Sequence, residues 1–505
     1  MKISLIFYII NVFLAFISRS LFVKILGADI NGLNSLYSSL IGFLNVAELG
    51  VGVAVGYSLY EPLSRSDFKK VEEIMILFKS YYKNISKIIF VIGTIVSIFL
   101  PYLIKGQVDY KSAYLYYFLY LINCSISYLF TYKQTLIIAD QKQYKIAYSL
   151  NITKIVKIFL QCIALIITKS FFIWLTIEIF FNILGMILAN KKVDNEYKID
   201  ISFKNKKSLK KIKNENIEIK RNIRNIFFHK IGTFVIFQTD AIVISLFTSL
   251  RETGIYANYM MIINNISGLI SNVLGSIMPS IGNLIVEESK DKIYDVFKKL
   301  YLMDHILALF ISVVVYNIIN EFIIFWVGEQ FLFNKYCVIA IVVNLYITLS
   351  RGTVERFKDG FGLYWDIYAP LIESLINLIV SVILTIKIGI LGVFIGTIFS
   401  NILIVELWKP YILFKEGFKK NTLQYFNFTI NILIKNIIII LLSNYLYKFF
   451  QKFFHVENIF IKLIFNGVLI SIICTIFIFL LYGITKEFKE ILKLIKKQLL
   501  KSRRK

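Results

Sequence analysis

The chain has 505 residues, of which 57% are hydrophobic and 16% aromatic, and its mean hydropathy is +0.69. Soluble domains are about 45–50% apolar, so this composition argues against a soluble enzyme. The formal charge, 57 − 32 = +25, suggests a nucleic-acid partner only until its placement along the chain is examined.

About fourteen apolar segments of membrane-spanning length fill the sequence: 3–25, 36–58, 85–104, 112–133, 146–168, 170–190, 226–248, 256–286, 301–325, 335–351, 367–387, 389–410, 428–448 and 457–483. A bilayer core about 30 Å thick takes roughly 20 such residues per helix. Residues 1–23 carry two basic residues, Lys2 and Arg19, and no small-residue cleavage site, so the first segment reads as a retained helix. It carries Arg19, and the second carries Glu48 beside Gly50, Gly52 and Gly56. On the fourth, Tyr116, Tyr120, Asn123, Ser127, Thr131 and Gln134 share one narrow face at 100° per residue. The fifth has a stripe of Asn151, Lys154, Lys157 and Gln161, and the sixth holds Glu178.

Residues 191–225 then form the longest polar connection, with twelve Lys/Arg against five Asp/Glu. The tail from 484 to 505 has nine against two. Each segment has a net charge of +7, together 14 of the 25 excess charges, and both border apolar segments. The positive-inside rule makes both cytoplasmic, together with the N-terminus, and anionic membrane lipids are their natural contact, not nucleic acid. The seventh segment contains Asp240, the ninth the pair Asp304–His305, and Pro279 falls inside the eighth, where it is expected to kink the helix. The tenth has Asn344, Thr348, Arg351 and Glu355; the eleventh has Glu373, Asn377, Ser381 and Thr385 at i, i+4 spacing. The last two segments carry one mid-span charge, Lys435, and read as peripheral. The four cysteines show no C-x-x-C spacing, so neither a zinc site nor a local disulfide is indicated.

The chain carries a faint copy of itself. Gly32-Leu33-Asn34-Ser35-Leu36-Tyr37 and Gly254-Ile255-Tyr256-Ala257-Asn258-Tyr259 open the second and eighth segments at an offset of 222. Phe78-Lys79 and Phe297-Lys298 lie 219 apart; Gln143-Tyr144 and Ile367-Tyr368 lie 224 apart. The expected organisation is an all-α membrane protein. It has a six-helix half (1–190), a basic linker (191–225), a second six-helix half (226–415), two extra helices (428–483) and a basic tail (484–505). An even number of helices per half relates the copies by an axis along the membrane normal, an arrangement that places substrate between the halves.

Several stretches carry a family resemblance: Ile30-Asn31-Gly32-Leu33, Ala47-Glu48-Leu49-Gly50-Val51-Gly52, Thr239-Asp240-Ala241-Ile242-Val243-Ile244-Ser245, Gly254-Ile255-Tyr256, and Gly362-Leu363-Tyr364-Trp365 with Pro370, Asn377, Gly392, Gly396 and Thr397. In order and spacing they resemble the polysaccharide (O-antigen or capsule repeat-unit) flippases of the multidrug/oligosaccharidyl-lipid/polysaccharide exporter superfamily. The resemblance implies fourteen helices. It also implies alternating-access transport of undecaprenyl-diphosphate-linked oligosaccharide from the cytoplasmic to the outer leaflet of a bacterial inner membrane, alongside a polysaccharide polymerase and glycosyltransferases.

Intramembrane polar groups are costly and so point to function. A lipid diphosphate is anionic, and Arg offers it a planar fork while Lys offers a mobile point charge. Arg19, Lys154, Lys157 and Arg351 are the expected substrate-binding cations; Lys24 and Arg356, nearer helix ends, are expected only to snorkel. Glu48, Asp240, Glu178, Asp304 and Glu373 are the candidates for binding a coupling Na+ or H+ or for gating, and Asp240 is also a candidate for pairing with Arg19. The alternative reading is that these stripes satisfy one another between packed helices, and that His305 is a packing residue. No phosphate-binding Gly-x-x-x-x-Gly-Lys-Ser/Thr loop, His-Glu-x-x-His motif or large outer domain is present, so no enzymatic role and no cofactor are expected. Two transporter alternatives share the architecture, a multidrug or cation exporter and a lipid II flippase. A membrane glycosyltransferase or polymerase is disfavoured by the short outer loops.

Overall fold

The computed structural model describes residues 2–197, 209–275, 277–366, 368–453 and 457–493. Residues 198–208 of the basic linker and 494–505 of the basic tail lie outside that set. Among the described residues, regular structure is helical throughout, and twelve helical runs are long and apolar enough to cross a membrane.

The N-terminal helix α1 (Lys2–Leu44) holds the first expected segment and the start of the second. It continues through a 3₁₀ turn, so the apolar run Phe7–Glu48 is 42 residues long. At 1.5 Å per residue that is about 63 Å, twice a bilayer core. The run is broken at Gly27, whose φ of 85° and ψ of 178° lie where a Cβ is strained. Gly50, at φ 90°, ends the 3₁₀ turn and starts α2 (Val51–Ser64). The seventh expected segment falls on α9 (Ile217–Phe247), of which Gln238–Phe247 stands out as a shorter apolar helix. The count of twelve therefore joins two expected segments in one run and leaves out a third.

The chain divides into two compact units, Met1–Ala257 and Asn258–Lys505. In the first, α3 (Phe68–Val96), α4 (Leu100–Ile104), α5 (Tyr110–Ala139), α6 (Tyr144–Thr168), α7 (Phe171–Glu196) and α8 (Leu209–Glu215) join α1, α2 and α9. Side-chain caps mark several starts, with Asp67, Asp109 and Ser170 accepting from backbone N–H groups of the following turn. α6 packs along α7, α5 along both α3 and α7, and α1 against α6 and α9. Its core centres on Leu33, Tyr37, Phe78, Tyr117 and Leu121. The unit also takes in the first residues of α10 (Leu250–Gly275).

The eighth expected segment, which runs from the first unit into the second, holds α10 and α11. α10 ends at Gly275 and α11 (Met278–Glu287) begins with Pro279 in its first turn, where the missing N–H costs nothing. α12 (Lys290–Trp326), α13 (Lys335–Ser350), α14 (Gly352–Gly360), α15 (Ala369–Ile388) and α16 (Leu391–Ser400) follow. A π-helical stretch, Asn401–Trp408, leads through α17 (Lys409–Ile412) to another, Leu413–Phe418. α18 (Leu423–Gln451) and α19 (Ile459–Tyr482) pack on α12. Phe297, Tyr301, Phe357, Phe414 and Tyr425 anchor this core.

α15 lies directly on α16, because a Cβ at Gly396 would sit 2.2 Å from the Ser381 hydroxyl and one at Gly392 2.3 Å from the backbone of α15. That approach settles part of the eleventh-segment stripe. Asn377 donates to Thr397 Oγ1 at 3.0 Å and Thr385 donates to the Ser381 carbonyl at 2.5 Å. The neutral members bond within α15 and across to α16, while the buried Asn377 Oδ1 keeps no partner among the described residues.

Candidate functional site

The first unit gathers three of the four expected cations, on α1 and α6. Arg19 lies before the break at Gly27, and its guanidinium donates to Asn31 Oδ1 beyond the break. Asn31 is fully buried, and its amide donates to the Gly254 carbonyl at 2.7 Å. On the same helix Asn34 Oδ1 accepts from the Tyr120 hydroxyl of α5. Tyr120 is near enough to feel the charges of both Arg19 and Glu178.

Lys157 and Lys154 are one turn apart on α6 and face one cavity of about 180 Å³, lined also by Gln134 of α5 and by Asn182 and Gly185 of α7. They are held differently. Lys157 is 9% exposed, and its Nζ donates to Glu178 Oε1 at 2.5 Å and to Asn182 Oδ1 at 3.3 Å. Glu178 accepts in addition from Gln161 at 2.9 Å and from Asn182 at 3.1 Å. Lys154 is exposed and makes no ion pair among the described residues, though it lies near Lys157 and Glu178. Lys154 and Lys157 against Glu178 leave this cavity with a formal charge of 2 − 1 = +1; Arg19 does not line it, and Tyr120 is the residue that feels both Arg19 and Glu178.

The fourth expected cation, Arg351, belongs to a separate cluster in the second unit. Its Nε is 3.5 Å from Glu355, which also accepts from Lys409 at 2.7 Å. Glu373 and Glu406 lie within electrostatic range of Arg351. Glu373 is 6% exposed and makes neither a hydrogen bond nor an ion pair among the described residues. Glu406 and Lys409 went unnoticed in the sequence. Their signal is two charges three residues apart in an otherwise apolar run; Glu406 lies on the π-helical stretch, which has no sequence signature, and Lys409 opens α17.

The remaining acids fall in distinct settings. Asp304 is completely buried, accepting from Arg356 Nη2 at 2.5 Å and from the Thr353 hydroxyl at 2.7 Å. Arg356 therefore does not snorkel: its side chain is 13% exposed and turned inward by that carboxylate. His305 packs against the Tyr301 ring at 4.1 Å between centroids, with Nδ1 unpartnered. Glu48 accepts from Tyr82 at 2.8 Å and from the backbone N–H of Gly52 at 3.2 Å, at the start of α2, where the exposed N–H groups favour a carboxylate. Asp240 accepts from Tyr256 at 3.2 Å and keeps one buried oxygen without a partner. No ion pair joins Asp240 to Arg19. Among the described residues no three His, Cys, Asp or Glu side chains are grouped as a metal site.

No protein-family model and no curated protein matches the chain. Solved structures do match in fold. One is the lipid II flippase MurJ in an inward closed conformation, at 17% identity and a TM-score of 0.67, covering 96% of this chain and 99% of that one. Another is an inward-facing multidrug resistance MATE family transporter of the MOP superfamily, at 14% identity and a TM-score of 0.59, covering 79% of this chain and 93% of that one. The chain is a multi-pass, all-helical membrane protein with the fold of these transporters.

Proposed function

We propose that this chain is a flippase that carries undecaprenyl-diphosphate-linked oligosaccharide from the cytoplasmic to the outer leaflet of a bacterial inner membrane, with both termini cytoplasmic. The observation that carries the reading is the cavity lined by Lys154 and Lys157 against the single carboxylate of Glu178, with a further cation, Arg19, on α1 of the same unit. A cationic site at membrane depth suits a dianionic diphosphate and opposes an organic cation. Arg19 supplies the oriented fork and Lys154 the unpaired mobile charge. Substrate movement follows from alternating access between the halves 1–190 and 226–415. Asp240, with an unpartnered buried oxygen, and Glu373, with no hydrogen bond or ion pair among the described residues, are the positions for a coupling cation or proton.

A lipid II flippase is the second reading, favoured by the likeness to MurJ over 96% of the chain. The deciding experiment reconstitutes the protein in liposomes and follows appearance in the opposite leaflet of three labelled compounds: an undecaprenyl-diphosphate-linked oligosaccharide, lipid II and a cationic dye. The expected result is movement of the first, lost in Arg19→Ala. Movement of lipid II alone selects the second reading, and movement of the dye alone overturns both.

A further inference from the structure

We infer that Asn31 is a positioning residue that ties the guanidinium of Arg19 to the crossing of α1 and α10, so that the cation is aimed only while that crossing is closed. The inference rests on the assignment of Arg19 to diphosphate binding. Asn31 is completely buried and uses both ends of its amide. Its oxygen accepts from Arg19 Nη1, and its nitrogen donates to the Gly254 carbonyl at 2.7 Å. Because an amide is planar and rigid, fixing the nitrogen on α10 fixes where the oxygen can hold Arg19.

The crossing itself is tight and reciprocal. A Cβ on Gly32 would sit 1.8 Å from the Leu250 carbonyl oxygen, and one on Gly254 would sit 2.2 Å from that of Ala28. These two glycines are also the equivalent positions of the internal repeat, 222 residues apart. Two backbones in contact through glycine leave the Asn31–Gly254 bond no slack. Sliding α10 by even one or two ångströms breaks it and frees the amide to rotate. Arg19 bridges the break at Gly27, so without Asn31 its long side chain regains rotamers that no longer present the fork. A guanidinium has five N–H donors, so the Asn31 bond leaves enough for a phosphate.

Linkage then runs both ways: if closure of the crossing raises affinity for diphosphate, diphosphate must stabilise the crossing by the same factor. The test uses full-length protein in detergent with undecaprenyl diphosphate as the probe, and measures both affinity and hydrogen exchange of residues 250–257. In the wild type the probe should slow exchange there. Asn31→Ala should lower affinity about three- to tenfold, as for one lost orienting hydrogen bond, and abolish the slowing at saturating probe. Asn31→Asp, which still accepts from Arg19 but cannot donate to Gly254, should also abolish it. Wild-type affinity in Asn31→Ala, or slowing that survives the substitution, overturns the relay. If Asn31→Ala is not recovered folded, Gly32→Ala decides: it pries the crossing apart without touching either side chain, and unchanged affinity there refutes the inference. Wild-type affinity in Arg19→Ala instead overturns the diphosphate assignment itself.

Discussion

Breaking the buried pair of the second unit separates a structural carboxylate from a transport carboxylate. Asp304 has no solvent exposure and accepts two charge-assisted or hydroxyl hydrogen bonds, from Arg356 and Thr353. Replacing Arg356 by Met keeps the side chain's bulk and leaves Asp304 with one neutral donor inside an apolar core. Removing one partner of a buried pair typically costs about 3–5 kcal/mol, because the remaining charge is uncompensated. The reciprocal change, Asp304→Asn, leaves Arg356 stranded but 13% exposed, so its head can reach toward water and the loss should be smaller. The double variant Asp304→Asn/Arg356→Met removes both charges and should recover most of the stability lost by Arg356→Met. Thermal unfolding in detergent, followed by loss of the monodisperse peak, reads the ranking, and transport in liposomes is measured on the same samples. If the double variant is as unstable as Arg356→Met, the pair is not what holds α12 to α14. If it is stable but inactive, Asp304 has a role in transport beyond this contact.

At the first site, Arg19→Lys should keep part of the lipid-diphosphate affinity, whereas Arg19→Ala should lose roughly 10–150-fold, matching about 1.5–3 kcal/mol for a charged hydrogen bond; direct binding measures both. Adding Asp240→Ala should not rescue Arg19→Ala, since no ion pair joins the two, and restored transport in the double variant would contradict that geometry. Gly32→Val should destabilise by at least the 1–3 kcal/mol typical of overpacking, read by thermal unfolding, because its Cβ would fall 1.8 Å from the Leu250 oxygen. At the turn between α5 and α6, burial pushes the Asp140 carboxyl up, but hydrogen bonds from Lys142 and Tyr197 outweigh it and hold the group below its ordinary value. A lowered folded-state value stabilises above the unfolded pKa of about 3.9 and is lost as pH falls through the folded one. Asp140→Asn should therefore remove part of the loss of thermal stability on acidification below about pH 4, seen by comparing melting curves of the two proteins.

Helices were legible because their signal is one of length: twenty apolar residues in a row need no knowledge of neighbours. Gly27 was not, since a glycine between two apolar runs looks the same whether the helix bends there or continues. The cations on α6 were found because Lys154 and Lys157 interrupt an apolar stripe on one face. Their different fates were not legible, because the distinction is made by Glu178, which arrives from another helix. Arg356 was misjudged for the same reason: proximity to a helix end suggested snorkelling, but the fully buried carboxylate of Asp304 lies 52 positions earlier and pulls it inward. Polar stripes thus announce that partners exist without saying which. The stripe on α15 turned out to be shared with α16 through two glycines, a contact encoded only in the absence of side chains.

That asymmetry within α6 gives a discriminating expectation for the first site. Lys154 and Lys157 carry the same charge into the same cavity, but Lys157 is locked to a carboxylate and Lys154 is not. Lys157→Met leaves Glu178 with its Gln161 and Asn182 donors, so the cost in stability should be about 1–3 kcal/mol, the penalty for an under-satisfied polar group rather than for an isolated charge. Lys154→Met removes no partner and should leave the melting temperature unchanged while weakening lipid-diphosphate binding. Because Lys154 is exposed to a hydrated cavity, its contribution should also shrink as ionic strength rises from 0.01 to 0.15 M, where the screening length falls from about 30 to about 8 Å. Adding Glu178→Gln to Lys157→Met should restore stability by removing the stranded acid. It should also leave the site's formal charge unchanged, since one cation and one anion have gone together. If net charge governs affinity, the double variant binds nearly as well as the wild type, and Lys154→Met is the worse binder. If instead the double variant binds poorly while Lys154→Met binds normally, Lys157 contacts the ligand itself, and charge counting at this site is the wrong account.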